Sequence, residues 1–176
     1  HLFSKKQPDL NWENPEVRNQ VYDMMHFWFK KGIDGFRMDV IDLISKVPGL
    51  PDGKEDDLII GCENYVTGPR IHEFLQEMNR EVLSKYDCMT VGECPGVTPE
   101  QAVDYTNPQR NELNMVFQFE LMGVDSNPGS KYFVKKFSVV DFKRIQTRWQ
   151  KGLDGKAWNS IYLCNHDQPR PVSRFG

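Results

Sequence analysis

The stretch Gly35-Phe36-Arg37-Met38-Asp39-Val40-Ile41 is a short apolar run with charged side chains near its end. An apolar run of this length predicts a strand that is covered on both faces. Two further apolar runs, at 88–92 and 160–164, end in the same way: Glu93 follows the first and His166-Asp167 follows the second. These endings predict parallel strands that present acids at one edge of a sheet.

Helical segments alternate with these runs. Asn14-Pro15-Glu16 combines a cap residue, a proline and an acid, which is typical of a helix start. Apolar spacing predicts a second helix over 71–82, and cap residues predict two more after Thr98 and Ser138. A further strand is predicted over 114–120. The inward face of the first helix is predicted to hold Val17, Val21, Met24, Met25, Trp28 and Phe29.

This steady alternation predicts an α/β fold with a parallel sheet and crossover helices. An open nucleotide-binding sheet would carry a glycine-rich phosphate loop, and the sequence contains neither GxGxxG nor a P-loop. Acids at several strand ends favour a closed barrel, in which all carboxyl ends face one site. A full barrel needs eight strands and about 250 residues. We therefore predict that 1–176 are one part of a (β/α)8 TIM barrel.

Composition restricts the class of protein. The chain has 176 residues, 39% of them hydrophobic, and no apolar run near the roughly 20 residues of a membrane helix. A net charge of −3 gives no field that would attract nucleic acid or an acidic membrane. Because the four cysteines form no CxxC pair, we expect free thiols and a cytoplasmic location. The chain starts at His1 rather than Met, so we expect it to start within a longer protein.

Asp39, Glu93 and Asp167 occupy equivalent positions after three predicted strands. One such acid could form a purely structural ion pair, as Asp39 could with Arg37. Burying three carboxylates close together, however, raises their pKa values and lowers the stability of the fold. Glycosidases need such a group: one carboxylate attacks or activates water, and another protonates the leaving oxygen. Aspartic proteases use two acids, and metal hydrolases need more closely spaced histidines.

Three motifs carry a family resemblance. Gly35-Phe36-Arg37-Met38-Asp39, Val91-Gly92-Glu93 and Asn165-His166-Asp167 resemble, in order, three signature regions of glycoside hydrolase family 13, the α-amylase family. The resemblance implies barrel strands 4, 5 and 7, so the chain would span about strands 4 to 7. The barrel start, strand 8 and any C-terminal β domain would lie outside it.

The same resemblance implies roles for individual residues. Asp39 would be the nucleophile, Glu93 the general acid and base, and Asp167 a binder of sugar hydroxyls. Arg37 would orient Asp39, and the remaining substrate-binding residues would be His166, Arg170 and Val40. Such a retaining pair is expected to hold its carboxyl groups about 5–5.5 Å apart. Asp42 is expected to face a loop or solvent.

The chain most resembles oligo-1,6-glucosidase members of that family. The residue directly after the nucleophile is Val in those members, as it is in this chain (Val40). Enzymes of the family that act on α-1,4 bonds more often have Thr or Ala at that position. The implied function is release of glucose from short α-1,6-linked oligosaccharides at the non-reducing end, without cofactor or metal. An α-1,4-glucosidase, a trehalose-6-phosphate hydrolase and a non-catalytic interaction domain remain alternatives. We expect 1–176 alone to be inactive, and the sequence leaves the oligomeric state open.

Overall fold

The computed structural model describes residues 1–54, 60–127 and 130–176, with backbone only at 127 and 130–134. The helices are α1 (Pro15–Lys30), α2 (Ile71–Glu81), α3 (Pro99–Thr106), α4 (Val139–Leu153) and α5 (Pro171–Phe175). The strands are β1 (Gly35–Met38), β2 (Met89–Glu93), β3 (Met115–Phe117), β4 (Ser126–Asn127) and β5 (Ser130–Val134). Short 3-10 helices span Ile41–Leu43, Cys62–Asn64, Leu83–Lys85, Pro108–Arg110 and Leu121–Gly123.

The predicted helix starts are confirmed. The Asn14 side chain accepts a hydrogen bond from the backbone N–H of Glu16 at 3.0 Å, and Pro15 is the first residue of α1. Thr98 forms a reciprocal capping box with Gln101 at the start of α3, and the Ser138 hydroxyl caps α4. Each cap satisfies backbone donors that the first helical turn leaves unpaired.

The inward face of α1 differs from the predicted one. The buried residues are Arg18, Tyr22, Met25 and Phe29, whereas Met24 and Trp28 are about half exposed. The buried positions still follow a helical period. Two of them, however, are held by Arg18 and Tyr22, which carry polar groups, and not by the apolar residues that were expected there. The prediction was therefore wrong for Met24 and Trp28.

β1, β2 and β3 form a parallel sheet in that order. Gly35 lies opposite Met89 and Met38 opposite Gly92, so the carboxyl ends of β1 and β2 lie at the same edge. A Cβ on Gly92 would lie 2.7 Å from side-chain atoms of both Ile41 and Leu113, so a larger residue there would have to displace these two side chains. This close packing brings the turn after β1 directly against the end of β2.

The strand predicted over 160–164 does not form. The segment nevertheless runs beside β3: the Ser160 hydroxyl donates to the carbonyl of Val116 at 2.6 Å, and the Tyr162 hydroxyl donates to that of Gln118. These two carbonyl groups thus accept hydrogen bonds from side-chain hydroxyls, whereas in a paired strand they would accept them from backbone N–H groups. The strand predicted over 114–120 is longer than β3, which spans only Met115–Phe117. The antiparallel pair of β4 and β5 was not predicted.

The apolar faces of the helices pack on this sheet. Phe74, Leu75, Val82, Ala102 and Tyr105 are fully buried. The four cysteines form no disulfide. Within the described ranges, no helix has both the length and the apolar character needed to cross a bilayer.

Candidate active site

Arg37 joins the two acids at the ends of β1 and β2. Its Nη1 donates to Oδ1 of Asp39, and its Nη2 donates to Oε2 of Glu93. The Glu93 side chain is only 6% exposed, whereas that of Asp39 is 77% exposed. One rigid guanidinium therefore gathers one buried and one accessible carboxyl group.

The backbone between these acids adopts an unusual conformation. Val40 has φ 35° and ψ 45°, a left-handed geometry that costs a β-branched residue roughly 1–2 kcal/mol. In this conformation its N–H points toward Oε2 of Glu93, 3.4 Å away. Backbone strain at such a position is typical of functional sites, and no feature of the sequence predicted it.

The two carboxyl groups have opposite electrostatic environments. Hydrogen bonding from Arg37 is the main cause that lowers the pKa of Asp39, and a hydrogen bond from Glu93 and the charge of His166 act in the same direction. Burial is the main cause that raises the pKa of Glu93, and its contact with Asp39 adds to this. These opposite shifts favour the ionised form of Asp39 and the protonated form of Glu93.

Asp39 and Glu93 each influence the pKa of the other. The shared guanidinium of Arg37 holds both carboxyl groups at one edge of the sheet, because it donates to one oxygen of each. The separation of about 5–5.5 Å expected for a retaining pair stays a prediction.

Asp167 lies on a tight turn after the 160–164 segment. Its N–H donates to Oδ1 of Asn165 at 2.9 Å, and its Oδ2 lies 3.3 Å from Nε2 of His166. Both ring and carboxylate are more than half exposed. Among the described contacts, no hydrogen bond or ion pair joins Asp167 to Asp39 or Glu93. The charge of the neighbouring His166 helps to lower the pKa of Asp39.

The remaining predicted substrate residues lie around this group. Val40 follows Asp39 directly, at the rim of the sheet. Arg170 is exposed at the start of α5, where its Nη1 lies 3.9 Å from Sγ of Cys164. Arg170 makes no hydrogen bond to Asp39, Glu93 or Asp167 in the described part of the chain.

Asp42 is a buried acid that sequence reasoning placed wrongly. It was expected to face a loop or solvent, but it is 0% exposed, and neither carboxylate oxygen has a hydrogen-bond partner among the described residues. Burial raises the pKa of Asp42 to about 7, and the nearby charge of Glu93 contributes. The signal in the sequence was its position within the apolar run Val40-Ile41-Asp42-Leu43-Ile44.

The described residues contain no cluster of three or more His, Cys, Asp or Glu side chains arranged to hold a metal ion. The groups that this site offers for chemistry are its carboxyl groups and the guanidinium of Arg37. An ionised acid beside a protonated one is the equipment of acid-assisted nucleophilic substitution.

Comparison with known proteins agrees with this geometry. The family model for the α-amylase catalytic domain matches residues 1–176. This chain belongs to the α-amylase family. The parallel strands and crossover helices are accordingly part of a (β/α)8 barrel, as the alternation of elements predicted.

Relatives within the α-amylase family include proteins of several specificities. The chain is 66% identical to an oligo-1,6-glucosidase of Parageobacillus thermoglucosidasius, over 100% of the chain and 32% of that protein. It superposes on trehalose-6-phosphate hydrolase of Bacillus licheniformis with a TM-score of 0.92 at 52% identity, covering 99% of the chain and 31% of that protein. The chain thus spans about a third of the length of these relatives.

Isomaltulose synthase of Erwinia rhapontici NX5 is a third relative, at 41% identity and a TM-score of 0.91 over 98% of the chain and 31% of that protein. Two of its structures contain D-glucose and carry a single replacement by Ala, one of an Asp and one of a Glu. The replaced positions of that enzyme lie 54 residues apart.

Proposed function

We propose that the protein carrying this chain is a retaining α-glucosidase that hydrolyses α-1,6 bonds of short isomalto-oligosaccharides from the non-reducing end. The observation that carries the proposal is the pair Asp39 and Glu93, whose pKa values are displaced in opposite directions. Similarity to an oligo-1,6-glucosidase at 66% identity supports the substrate class.

In the proposed reaction, the Asp39 carboxylate attacks the anomeric carbon of the terminal glucose. Glu93 gives its proton to the glycosidic oxygen as the bond to the leaving sugar breaks, which leaves a covalent glycosyl-enzyme. Glu93 then takes a proton from water, and this water releases glucose from Asp39 with retained configuration. The exposed carboxylate can reach a sugar, whereas burial raises the pKa of the Glu93 carboxyl, which favours its protonated form.

Arg37 keeps Asp39 ionised through their hydrogen bond. We assign Asp167 and His166 to the hydroxyl groups of the same sugar, because both side chains are exposed and contact each other, and the charge of His166 helps to lower the pKa of Asp39. Arg170 is assigned to the outer part of the substrate site. The positive charge that develops on the sugar ring would be stabilised by the neighbouring carboxylates.

The spacing in isomaltulose synthase supports the choice of Asp39 and Glu93. Its two replaced acids are separated by 54 residues, which is also the separation of Asp39 and Glu93. The order, Asp before Glu, is the same.

Val40 underlies the proposed linkage. We expect its methyl groups to face the leaving sugar, where they would offer no hydrogen bond to a hydroxyl group. An α-1,4-glucosidase and a trehalose-6-phosphate hydrolase use the same chemistry, so the full-length protein should be assayed side by side on isomaltose, maltose and trehalose 6-phosphate. Isomaltose should have the highest kcat/KM; if it is the poorest substrate, the α-1,6 assignment is wrong.

We also propose that the chain contributes about strands 4 to 7 of one barrel domain, and that it works in the cytoplasm, which its unpaired cysteines favour. A non-catalytic interaction domain would have no need of a buried carboxyl beside an ionised one. Asp39→Asn in the full-length protein should abolish turnover, whereas unchanged turnover would remove Asp39 from the mechanism. Purified 1–176 should not hydrolyse p-nitrophenyl α-glucoside.

A further inference from the structure

Arg174 in α5 lies at the centre of a buried polar bridge. Its Nε donates to both carboxylate oxygens of Asp125, at 3.1 and 2.9 Å, and its Nη2 donates to Asp125 and to the carbonyl of Met122. Its Nη1 donates to Oε1 of Gln168 at 3.0 Å. The side chains of Arg174 and Asp125 are only 10% and 5% exposed.

Such a bridge is rigid. A guanidinium that donates two N–H groups to one carboxylate has one favoured orientation, and removing one partner of a buried charge pair strongly destabilises the protein. Hydrogen bonding from Arg174 is the main cause that holds the pKa of Asp125 below its usual range. The bridge is therefore charged at neutral pH and fixes Gln168 relative to the loop that follows β3.

Gln168 is the residue directly after Asp167. The turn over 165–168 is closed by the contact of the Asp167 N–H with Asn165 and by the Gln168 N–H, which donates to the carbonyl of Asn165 at 3.3 Å. The segment before this turn forms no backbone ladder with β3. The exposed side chains of His166 and Asp167 contact each other, and neither has another described hydrogen bond. The turn is thus held from its far side, at Gln168.

We propose that Arg174 is a positioning residue: the bridge Asp125–Arg174–Gln168 fixes the 165–168 turn so that His166 and Asp167 face the sugar bound at Asp39. This inference rests on the proposed function, because it assumes that Asp167 acts on the sugar. Arg174 itself touches no reacting atom.

The test compares Arg174→Met with Arg18→Met in the full-length protein. Arg18 is a matched control because it is similarly buried, pairs with Glu77 at 2.9 Å and donates to a backbone carbonyl, that of Trp12, at 2.7 Å. Its bridge joins α1 to α2 and does not contact 165–168. Displacing a substrate-positioning group by about 1 Å can cost a hundredfold in rate, so Arg174→Met should lower kcat on p-nitrophenyl α-glucoside about 10- to 100-fold. Arg18→Met should lower thermal stability similarly without this loss.

Gln168→Met keeps the Arg174–Asp125 pair intact and removes only the link to the turn. It should lower kcat without lowering the melting temperature as far as Arg174→Met does, so it tests the proposal even if Arg174→Met does not fold. A full kcat in Gln168→Met would overturn the proposal.

A double-mutant cycle with Asp167→Asn separates positioning from general damage. If Arg174 acts through Asp167, Arg174→Met should cost little further activity in the Asp167→Asn background. A full additional loss there would overturn the inference, as would an Arg174→Met variant that behaves like Arg18→Met. Unchanged turnover in Asp167→Asn alone would instead contradict the role given to Asp167 in the proposed function.

Discussion

Replacement of the buried Asp42 by Asn should change how stability depends on pH. Asp42 is completely shielded from solvent, and its two carboxylate oxygens lack hydrogen-bond partners among the described residues. Its pKa rises from the usual 3.8 to about 7, mainly because burial disfavours the charged form. Asn has nearly the same shape and stays neutral at every pH, so the substitution removes the ionisation and retains the packing.

The sign of the effect follows from proton binding. Between about pH 4 and 7 the folded protein keeps the Asp42 proton while the unfolded chain loses it. The stability contributed by this group is therefore complete below the unfolded value of 3.8 and is lost as pH rises through about 7. At about 1.36 kcal/mol per pKa unit, the loss between pH 4 and 8 amounts to roughly 4 kcal/mol.

Reversible urea unfolding of the full-length protein at several pH values between 4 and 8 measures this effect. Relative to the wild type, Asp42→Asn should gain stability as pH rises toward about 7, and the gain should then level off. Asp87→Asn, a replacement of an exposed acid, controls for the loss of one negative charge. A stability difference between Asp42→Asn and the wild type that is constant across this range would show that Asp42 is not a neutral buried acid, and the reasoning would be refuted.

Three further predictions concern the site. Arg37→Met removes a charge that lowers the pKa values of both Asp39 and Glu93, so both limbs of the pH profile of kcat/KM should move to higher pH; an unmoved acidic limb would contradict the role of Arg37. Val40→Thr should raise the ratio of maltose to isomaltose kcat/KM by about tenfold, as one added polar contact allows, and an unchanged ratio would remove Val40 from linkage selection. Glu93→Gln should slow hydrolysis of isomaltose by about 10²–10⁴-fold, but it should slow formation of the glycosyl-enzyme from an activated aryl glucoside far less, which pre-steady-state release of the aryl group would show.

The parts of the fold that depend on local chemistry were predictable from sequence. Asn14, Thr98 and Ser138 cap helices because a side-chain oxygen needs only the next few backbone donors. The ends of β1 and β2 were found because an apolar run closed by an acid is visible in the sequence. The juxtaposition of Asp39 and Glu93 then follows from parallel pairing, which places both ends at one edge.

Features that depend on contacts distant in sequence were not predictable. The 160–164 segment has the composition of a strand, but the hydroxyls of Ser160 and Tyr162 occupy the carbonyls beside it. Val40 has a left-handed backbone, and the propensity of a β-branched residue argues against that conformation. Asp42 was expected at the surface because burying a carboxyl group without a hydrogen-bond partner normally costs free energy.

The reaction proposed for Asp39 can be tested by trapping its intermediate. An activated 5-fluoro-α-glucosyl fluoride forms a glycosyl-enzyme faster than water removes the sugar, so the full-length protein should gain the mass of one fluorinated sugar. Peptide mapping should place that sugar on the peptide containing Asp39. Labelling of a different residue, or rapid turnover of the reagent with inversion of configuration and no label, would contradict the account.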